Sequence, residues 1–372
     1  MTRVVVGMSG GVDSSVAAAL LAEQGYDVVG IMLRLWSEPA RDDAAAGDDE
    51  APIENRCCSL ESMADARRVA AHLDIPFYVV NVEQPFQQTI VDYFYDEYVA
   101  GRTPNPCLRC NRYIRFTLLL ERALALGADY LATGHYVRVD DDPATGLRRL
   151  RRGASDEKDQ SYVLHVLSQE QLRHALFPLG GYTKPQVRAM AAERGLPVAQ
   201  KPESQEICFV AKNDYRGFMR RYAEATGRTL PMAGPIVDEG GQRLGEHQGL
   251  ASYTIGQRKG LGIAAREPLH VLRLDPSRNA LVVGPAARLD RERFELCETT
   301  FTSGREPTEP FAAWVKVRYK AVPVLATVTP LPNRRARVEL ATPQRAITPG
   351  QAAVFYGGAD GDEVLGGGLI EE

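Results

Sequence analysis

The chain has no apolar run approaching the ~18 residues that span a bilayer. Residues 1–7 carry neither the charged start nor the apolar core of a secretory leader. No membrane role is expected, and a cytoplasmic location is. Cysteine is scarce, with six in 372 residues. In a leaderless chain of this size that points to thiols used for chemistry or packing, not to a disulfide scaffold. Histidine is equally scarce, also six. Neither clustered histidines nor a second CxxC offers the spacing of a structural zinc site, so no resident metal is expected there. Internal repeats are absent. Positive charge is lacking on average: the net charge of −4 taken alone argues against a nucleic-acid partner.

The average hides local asymmetry. Acid concentrates in residues 38–54 (EPARDDAAAGDDEAPIE), within a stretch, 37–56, that has almost no periodicity and reads as a flexible insertion. Residues 311–356 hold Lys316, Arg318, Lys320, Arg334, Arg335, Arg337 and Arg345 against a single acid, Glu339. Arg148, Arg149, Arg151 and Arg152 form a second basic cluster. Either cluster could face a polyanion or simply water.

The length calls for two or three domains. Strand patterns at 4–7, 28–35, 77–82 and 130–133 alternate with helical patterns at 14–24, 60–73, 86–100 and 114–126. That order implies an α/β fold with a doubly wound parallel sheet and ligands at the carboxyl ends of its strands. Residues 161–228 are mostly helical in pattern, and glycine and proline thicken from 230 to 268 without a clear helix. From about 270, short alternating segments (270–274, 280–283, 312–319, 324–328, 336–340, 352–356) separated by turns suggest a small C-terminal β-barrel or sandwich.

The densest signal is Ser9-Gly10-Gly11-Val12-Asp13-Ser14-Ser15, set between the apolar run 4–7 and the helical run 16–21. Glycines let backbone approach a phosphate, and the first amides of a helix point at it with the positive end of the dipole. The serines add donors, and Asp13 is placed to meet the cation that accompanies a nucleotide. The loop contains no lysine, so it is not the GxxxxGKS/T loop that grips a transferring γ-phosphate. It resembles the PP-loop of ATP pyrophosphatases, which cleave ATP between the α- and β-phosphates and adenylate a carbonyl oxygen.

Thr103-Pro104-Asn105-Pro106-Cys107-Leu108-Arg109-Cys110-Asn111 is a proline-stiffened loop leading into a helix, with a CxxC where a thiolate is stabilised. Cys208 lies in Ser204-Gln205-Glu206-Ile207-Cys208-Phe209. On its surroundings alone it reads equally well as a small apolar residue. Cys57 and Cys58 read as local packing or a sulfur relay, and Cys297 as structural.

Together with 132–136 (ATGHY), 158–162 (KDQSY), 253–258 (YTIGQR) and 317–319 (VRY), these motifs resemble the bacterial tRNA-specific 2-thiouridylases over nearly the whole chain. The resemblance implies a PP-loop catalytic domain at 1–208, a tRNA-contacting central domain at 209–283 and a β-barrel domain at 284–372. It implies that Gly7, Met8, Ser9, Gly10, Gly11, Val12, Asp13 and Ser14 bind ATP with Mg²⁺, with Leu33 and Gly134 touching the nucleotide. Cys208 matches the cysteine that carries a persulfide, and Cys110 the nucleophile that pairs with it as a disulfide. Asn105, Pro106 and Cys107 match the loop facing the target base. Lys158, Asp159 and Gln160 match a tRNA-contacting turn, and His135, Arg318, Tyr319 and Gln351 match further tRNA contacts. The implied partners are a tRNA bearing a wobble uridine and a sulfur-relay protein or cysteine desulfurase, and the implied state is a monomer.

One position departs from the family. Members often carry Asp where this chain has Cys107, the usual candidate for proton transfer at the base. A thiol of ordinary pKa ~8.5 can do acid–base work when a helix start lowers it. The substitution also makes a trio, Cys107, Cys110 and Cys208, that would supply three thiolates to a [4Fe–4S] cluster. Two other readings compete: another PP-loop adenylating synthetase or amidotransferase acting on a small molecule, and an RNA-binding module without catalysis. The first needs neither cysteine, and the intact glycine loop speaks against the second.

Overall fold

The computed structural model describes residues 1–38, 59–203, 207–210, 214–358 and 360–371. A five-stranded parallel sheet runs in the order Phe77–Asn81, Asp27–Arg34, Arg3–Gly7, Tyr130–Ala132, Ala175–Leu176. Val4, Val5 and Val6 of the central strand are wholly buried, as a strand covered on both faces requires. The chain builds outward on one side of Arg3–Gly7, then returns to place Tyr130–Ala132 on the other. The switch point therefore falls beside the glycine loop, where a doubly wound sheet opens its ligand crevice. Val16, Ala17, Leu20 and Leu21 of the helix Val12–Glu23 pack on one face with Ala66 and Val69 of Leu60–His72 and Val187 and Ala191 of Lys184–Glu193. Phe116, Leu119, Leu120 and Ala123 cover the other face.

A four-stranded sheet follows, ordered Leu269–Asp275, Ala280–Pro285, Gly234–Val237, Arg243–His247. The last two strands lie in the glycine- and proline-rich stretch where the sequence shows no regular element. The C-terminal strands close into a ring because Asp290–Phe301 pairs both with Arg335–Arg345 and with Glu363–Ile370. The barrel expectation is met.

Two features go beyond the sequence reading. Residues 137–152 fold as a hairpin, Val137–Asp141 with Arg148–Arg152, whose edge joins the barrel strand Glu363–Ile370. A segment expected to belong only to the first domain thus extends the C-terminal sheet. The Arg148–Arg152 cluster is also not a free basic patch. Arg148 pairs with Asp141, Arg149 with Asp140 and Asp142, Arg151 with Asp140 and Asp362, and Arg152 with Asp156 and Asp159. The acidic stretch 38–54 lies outside the described residues except for Glu38, which pairs with Arg221.

Candidate active site

The glycine loop is shaped by sterics and by its own serines. Gly10 has φ +69°, and a Cβ there would sit 2.2 Å from the Ser62 carbonyl oxygen. Gly134 lies so close behind the loop that a Cβ would meet Asp13 C and Ser14 N at 2.8 Å. Both positions admit only glycine. Ser14 Oγ accepts the Ser9 amide at 3.1 Å and donates to the Gly11 carbonyl at 3.2 Å; Ser15 Oγ donates to the same carbonyl at 2.8 Å. The Met8 amide donates to Ile31 at 2.8 Å, anchoring the loop to the neighbouring strand.

Asp13 is more engaged than the sequence suggests. Its Oδ1 accepts the Tyr136 hydroxyl at 2.7 Å and Lys184 Nζ at 2.6 Å. Lys184 also reaches Glu203 at 3.2 Å, and Lys158 reaches Glu203 at 2.5 Å. Burial, and then the Asp13 charge, push the Tyr136 phenol well above its ordinary range. Burial opposes ionisation of Glu203, yet the Lys158 hydrogen bond and the Lys184 charge hold its carboxyl below the usual value. Sequence reasoning missed Lys184, Tyr136 and Glu203 as site residues. A signal for Lys184 was present: Thr183-Lys184-Pro185-Gln186 is a helix start, and a lysine in the first turn opposes the dipole unless an anion faces it.

The cysteine loop is capped by Asn105, whose side chain accepts the Cys107 amide at 3.1 Å, with Pro106 in the first turn. The helix continues from Pro106 to Ala125 through a widened π segment, Cys110–Leu119. Such widening marks functional sites often. Cys107 is exposed and Cys110 buried. Cys110 belongs to an apolar cluster with Trp36, Phe86, Phe94 and Phe209, and half-buried Cys208 and Leu33 pack against the same cluster. Two cysteines that are remote in sequence thus border the same apolar cluster, which also takes in Leu33 at the end of the strand Asp27–Arg34. Among the described residues no three Cys, His, Asp or Glu side chains stand where they could hold a metal. Cys107, Cys110 and Cys208 therefore do not fit a ready-made cluster ligand set.

The residues matched to tRNA fall into two groups. Arg318 is exposed, Tyr319 half-buried and Lys158 half-buried. Lys158 is tied to Glu203, and the others are engaged internally as well. Asp159 is 2 % exposed; it accepts the Gly153 and Ser161 amides, the Ser161 hydroxyl and Arg152, so its side chain organises the turn. Gln160 accepts the Tyr136 amide at 3.0 Å. Gln351 donates to the Thr103 carbonyl at 2.9 Å, and the Thr103 amide donates to Pro349 at 2.8 Å, so the barrel holds the cysteine loop. His135 is 8 % exposed. Its Nε2 faces the donor-only Arg115 guanidinium at 3.2 Å, which assigns the proton to Nδ1, donating to Thr133 Oγ1 at 2.8 Å. Burial and the Arg115 charge hold it neutral, its pKa down to about 3.

Three family models match consecutive parts of the chain: a tRNA methyl transferase HUP domain over residues 2–212, a tRNA methyl transferase PRC-barrel domain over 226–285, and an aminomethyltransferase β-barrel domain over 291–370. The tRNA-specific 2-thiouridylase MnmA of Geotalea uraniireducens is 51% identical over 99% of this chain and 95% of its own length. Those of Heliobacterium modesticaldum and Chloroflexus aggregans are each 50% identical, over 99% and 100% of this chain and 92% and 98% of theirs. The models' descriptions speak of methyl transfer. The end-to-end relatives weigh more, and two cysteines on one cluster suit sulfur chemistry. A solved 4-thiouridine synthetase–RNA complex with bound ATP overlaps 61% of this chain and 51% of that one at 17% identity and a TM-score of 0.35, too loosely to carry an argument.

Proposed function

Because the chain belongs to the tRNA-specific 2-thiouridylase family, we propose that it replaces the C2 oxygen of the tRNA wobble uridine with sulfur, using ATP and releasing AMP and pyrophosphate. The observation that carries this reading is that one domain holds both a glycine loop shaped for a nucleotide and two cysteines, Cys110 and Cys208, on a single apolar cluster.

The uridine C2 carbonyl is a poor electrophile, and its oxygen a poor leaving group. Attack by that oxygen on the α-phosphorus of ATP breaks the bond to the β-phosphate and makes an adenylate that can leave as AMP. Amides of the glycine loop and the helix start stabilise the charge developing on pyrophosphate. Mg²⁺, when bound, neutralises phosphate charge. Asp13 is the residue to hold it, since only its Oδ1 is engaged among the described residues.

The terminal sulfur of a Cys208 persulfide attacks C2. The Cys110 thiolate then attacks the Cys208 sulfur. That bond closes as a disulfide, the electron pair and the outer sulfur stay with the base, and a thiol reductant resets the pair. Cys107 lies at the target-base loop as a proton-transfer candidate. Asn105 and Pro106 shape that loop. Lys158, Gln160, His135, Arg318, Tyr319 and Gln351 contact tRNA or support groups that do. Residues 1–208, 209–283 and 284–372 act as catalytic, tRNA-contacting and barrel units. The persulfide is loaded by a relay protein or a cysteine desulfurase, and the enzyme acts as a cytoplasmic monomer. Among the described residues no helix is long and apolar enough to cross a membrane.

Nucleoside mass spectrometry tests this. Unmodified tRNA incubated with the protein, ATP, Mg²⁺ and a loaded sulfur donor should yield 2-thiouridine. The product should vanish without ATP and fall at least ~1,000-fold in Cys208→Ser and in Cys110→Ser, as loss of a nucleophile does. ATP-independent thiolation, or none by the wild type, overturns the reading.

A further inference from the structure

The glycine loop has no lysine of its own, and the fold delivers one. We propose that Lys184 is the phosphate-binding cation of this site, gripping the pyrophosphate portion of ATP and stabilising it as it leaves. The inference rests on the proposed ATP-dependent reading and adds a residue to it.

Lys184 comes from the first turn of the helix Lys184–Glu193, far from the loop in sequence. Its side chain is almost fully buried, and Nζ sits 2.6 Å from Asp13 Oδ1 at the start of the helix that follows the glycines. A buried ammonium at a helix N-terminus is doubly unfavourable, desolvated and opposed by the dipole. Two carboxylates offset that cost, Asp13 and Glu203. The arrangement is a chain of alternating charge, Asp13–Lys184–Glu203–Lys158.

A charged phosphate reaching the loop can take the place of Asp13 on Lys184. One anion replaces another, so the ammonium is not desolvated anew. Asp13 is then released toward the cation that the phosphates bring, with Tyr136 still donating to it. No proton moves. As the α–β bond breaks, the bridging electron pair leaves with pyrophosphate, and a fixed ammonium beside its oxygens lowers the energy of that charge. Glu203 keeps the amine positioned when Asp13 lets go.

The full-length protein tests this with inorganic pyrophosphate and AMP as separate probes, each competing with a fluorescent ATP analogue. Lys184→Met should weaken pyrophosphate at least ~30-fold and leave AMP within about twofold. Its rate of tRNA-dependent pyrophosphate release should fall ~100-fold or more. Lys184→Arg should recover most of the pyrophosphate affinity. A purely structural lysine would weaken both probes alike, and that result overturns the proposal, as does unchanged pyrophosphate affinity in a Lys184→Met protein of wild-type melting temperature. Should that variant not fold, a crystal structure of the wild type with Mg²⁺ and a non-hydrolysable ATP analogue decides. Nζ within about 3 Å of a β- or γ-phosphate oxygen upholds the assignment; Nζ on Asp13 with the phosphates elsewhere ends it. If the wild type binds pyrophosphate through Lys184 yet makes no thiouridine, the proposed function fails and this inference survives.

Discussion

The two ends of the reaction site are built by different means. At the nucleotide end, the loop over residues 8–15 is fixed within its own domain, by Gly10 against Ser62, Gly134 against Asp13 and Ser14, and serine hydroxyls on the Gly11 carbonyl. At the proposed target-base end, the loop over residues 103–110 is held from outside by the barrel. Pro349 accepts the Thr103 amide, Gln351 donates to the Thr103 carbonyl, and a Cβ on Gly350 would lie 3.0 Å from the Thr103 backbone. ATP is the same for every turnover, and a self-contained cradle suits it. If tRNA binds across the domains as proposed, a loop tied to the barrel would let binding there set the position of Cys107 and Cys110.

The largest expected effect breaks the nucleotide end alone. Gly10→Ala forces a side chain into a φ of +69° and against the Ser62 carbonyl, a combined cost of about 3 kcal/mol or more at the loop. ATP affinity, followed by equilibrium titration, should drop at least ~100-fold while tRNA affinity changes less than about threefold. Equal losses for both ligands would show that the two ends are not separately built.

Next comes the group that joins the ends. His135 follows the strand that backs the glycine loop, and Arg115, its partner, sits on the cysteine helix. His135 stays neutral down to about 3, whereas the unfolded chain's imidazole takes its proton near 6.5. Below 6.5 the unfolded state therefore binds the extra proton, and stability falls as pH falls. His165, held to about 4 by burial, has the same sign. Between pH 6.5 and 5 each histidine should remove about 2 kcal/mol, measured as the shift of a denaturant midpoint. His135→Gln should flatten that slope by roughly half. An unaltered slope would mean that the imidazole is not the buried neutral link described.

How much of this was legible in the residues follows from the same contrast. The glycine loop announces itself because its constraint is local: glycines, a strand before, a helix after. The parallel sheet was equally plain from alternating patterns. Lys184 was not, because its partner Asp13 is distant in sequence and nothing in a linear reading pairs them. The hairpin 137–152 looked like a basic patch because its neutralising aspartates sit across the turn or, as Asp362, on the barrel. Glu363–Ile370 was not among the strand patterns, and its three successive glycines, Gly366, Gly367 and Gly368, break the alternation that marks one. The glycines are there so that strands can approach: a Cβ on Gly366 would sit 2.1 Å from the Thr300 carbonyl. Asp290–Phe301 hides behind charged residues on its exposed face.

The third test breaks the target-base end alone. Gln351→Ala removes the hydrogen bond that ties the barrel to Thr103, worth about 1 kcal/mol. The expected result is a roughly five- to tenfold lower kcat/KM for tRNA with an unchanged KM for ATP. A matching rise in KM for ATP would make Gln351 part of a general scaffold.

The smallest effect concerns the two basic clusters that look alike in composition. Arg149 and Arg151 are bound to Asp140, Asp142 and Asp362, so releasing either to a tRNA phosphate must break an existing pair and gains little. Arg318 is exposed and makes no ion pair among the described residues. A cation that neutralises one phosphate contributes close to one unit to the slope of log affinity against log salt, less for single-stranded regions. Arg318→Ala should lower that slope by ~0.7–0.9, whereas Arg149→Ala should leave it within about 0.2. The measurement is tRNA affinity at several KCl concentrations. A reversed result would place the tRNA over the hairpin and not along the barrel edge. The grip on the cysteine loop through Gln351 would then be unconnected to where the tRNA body lies.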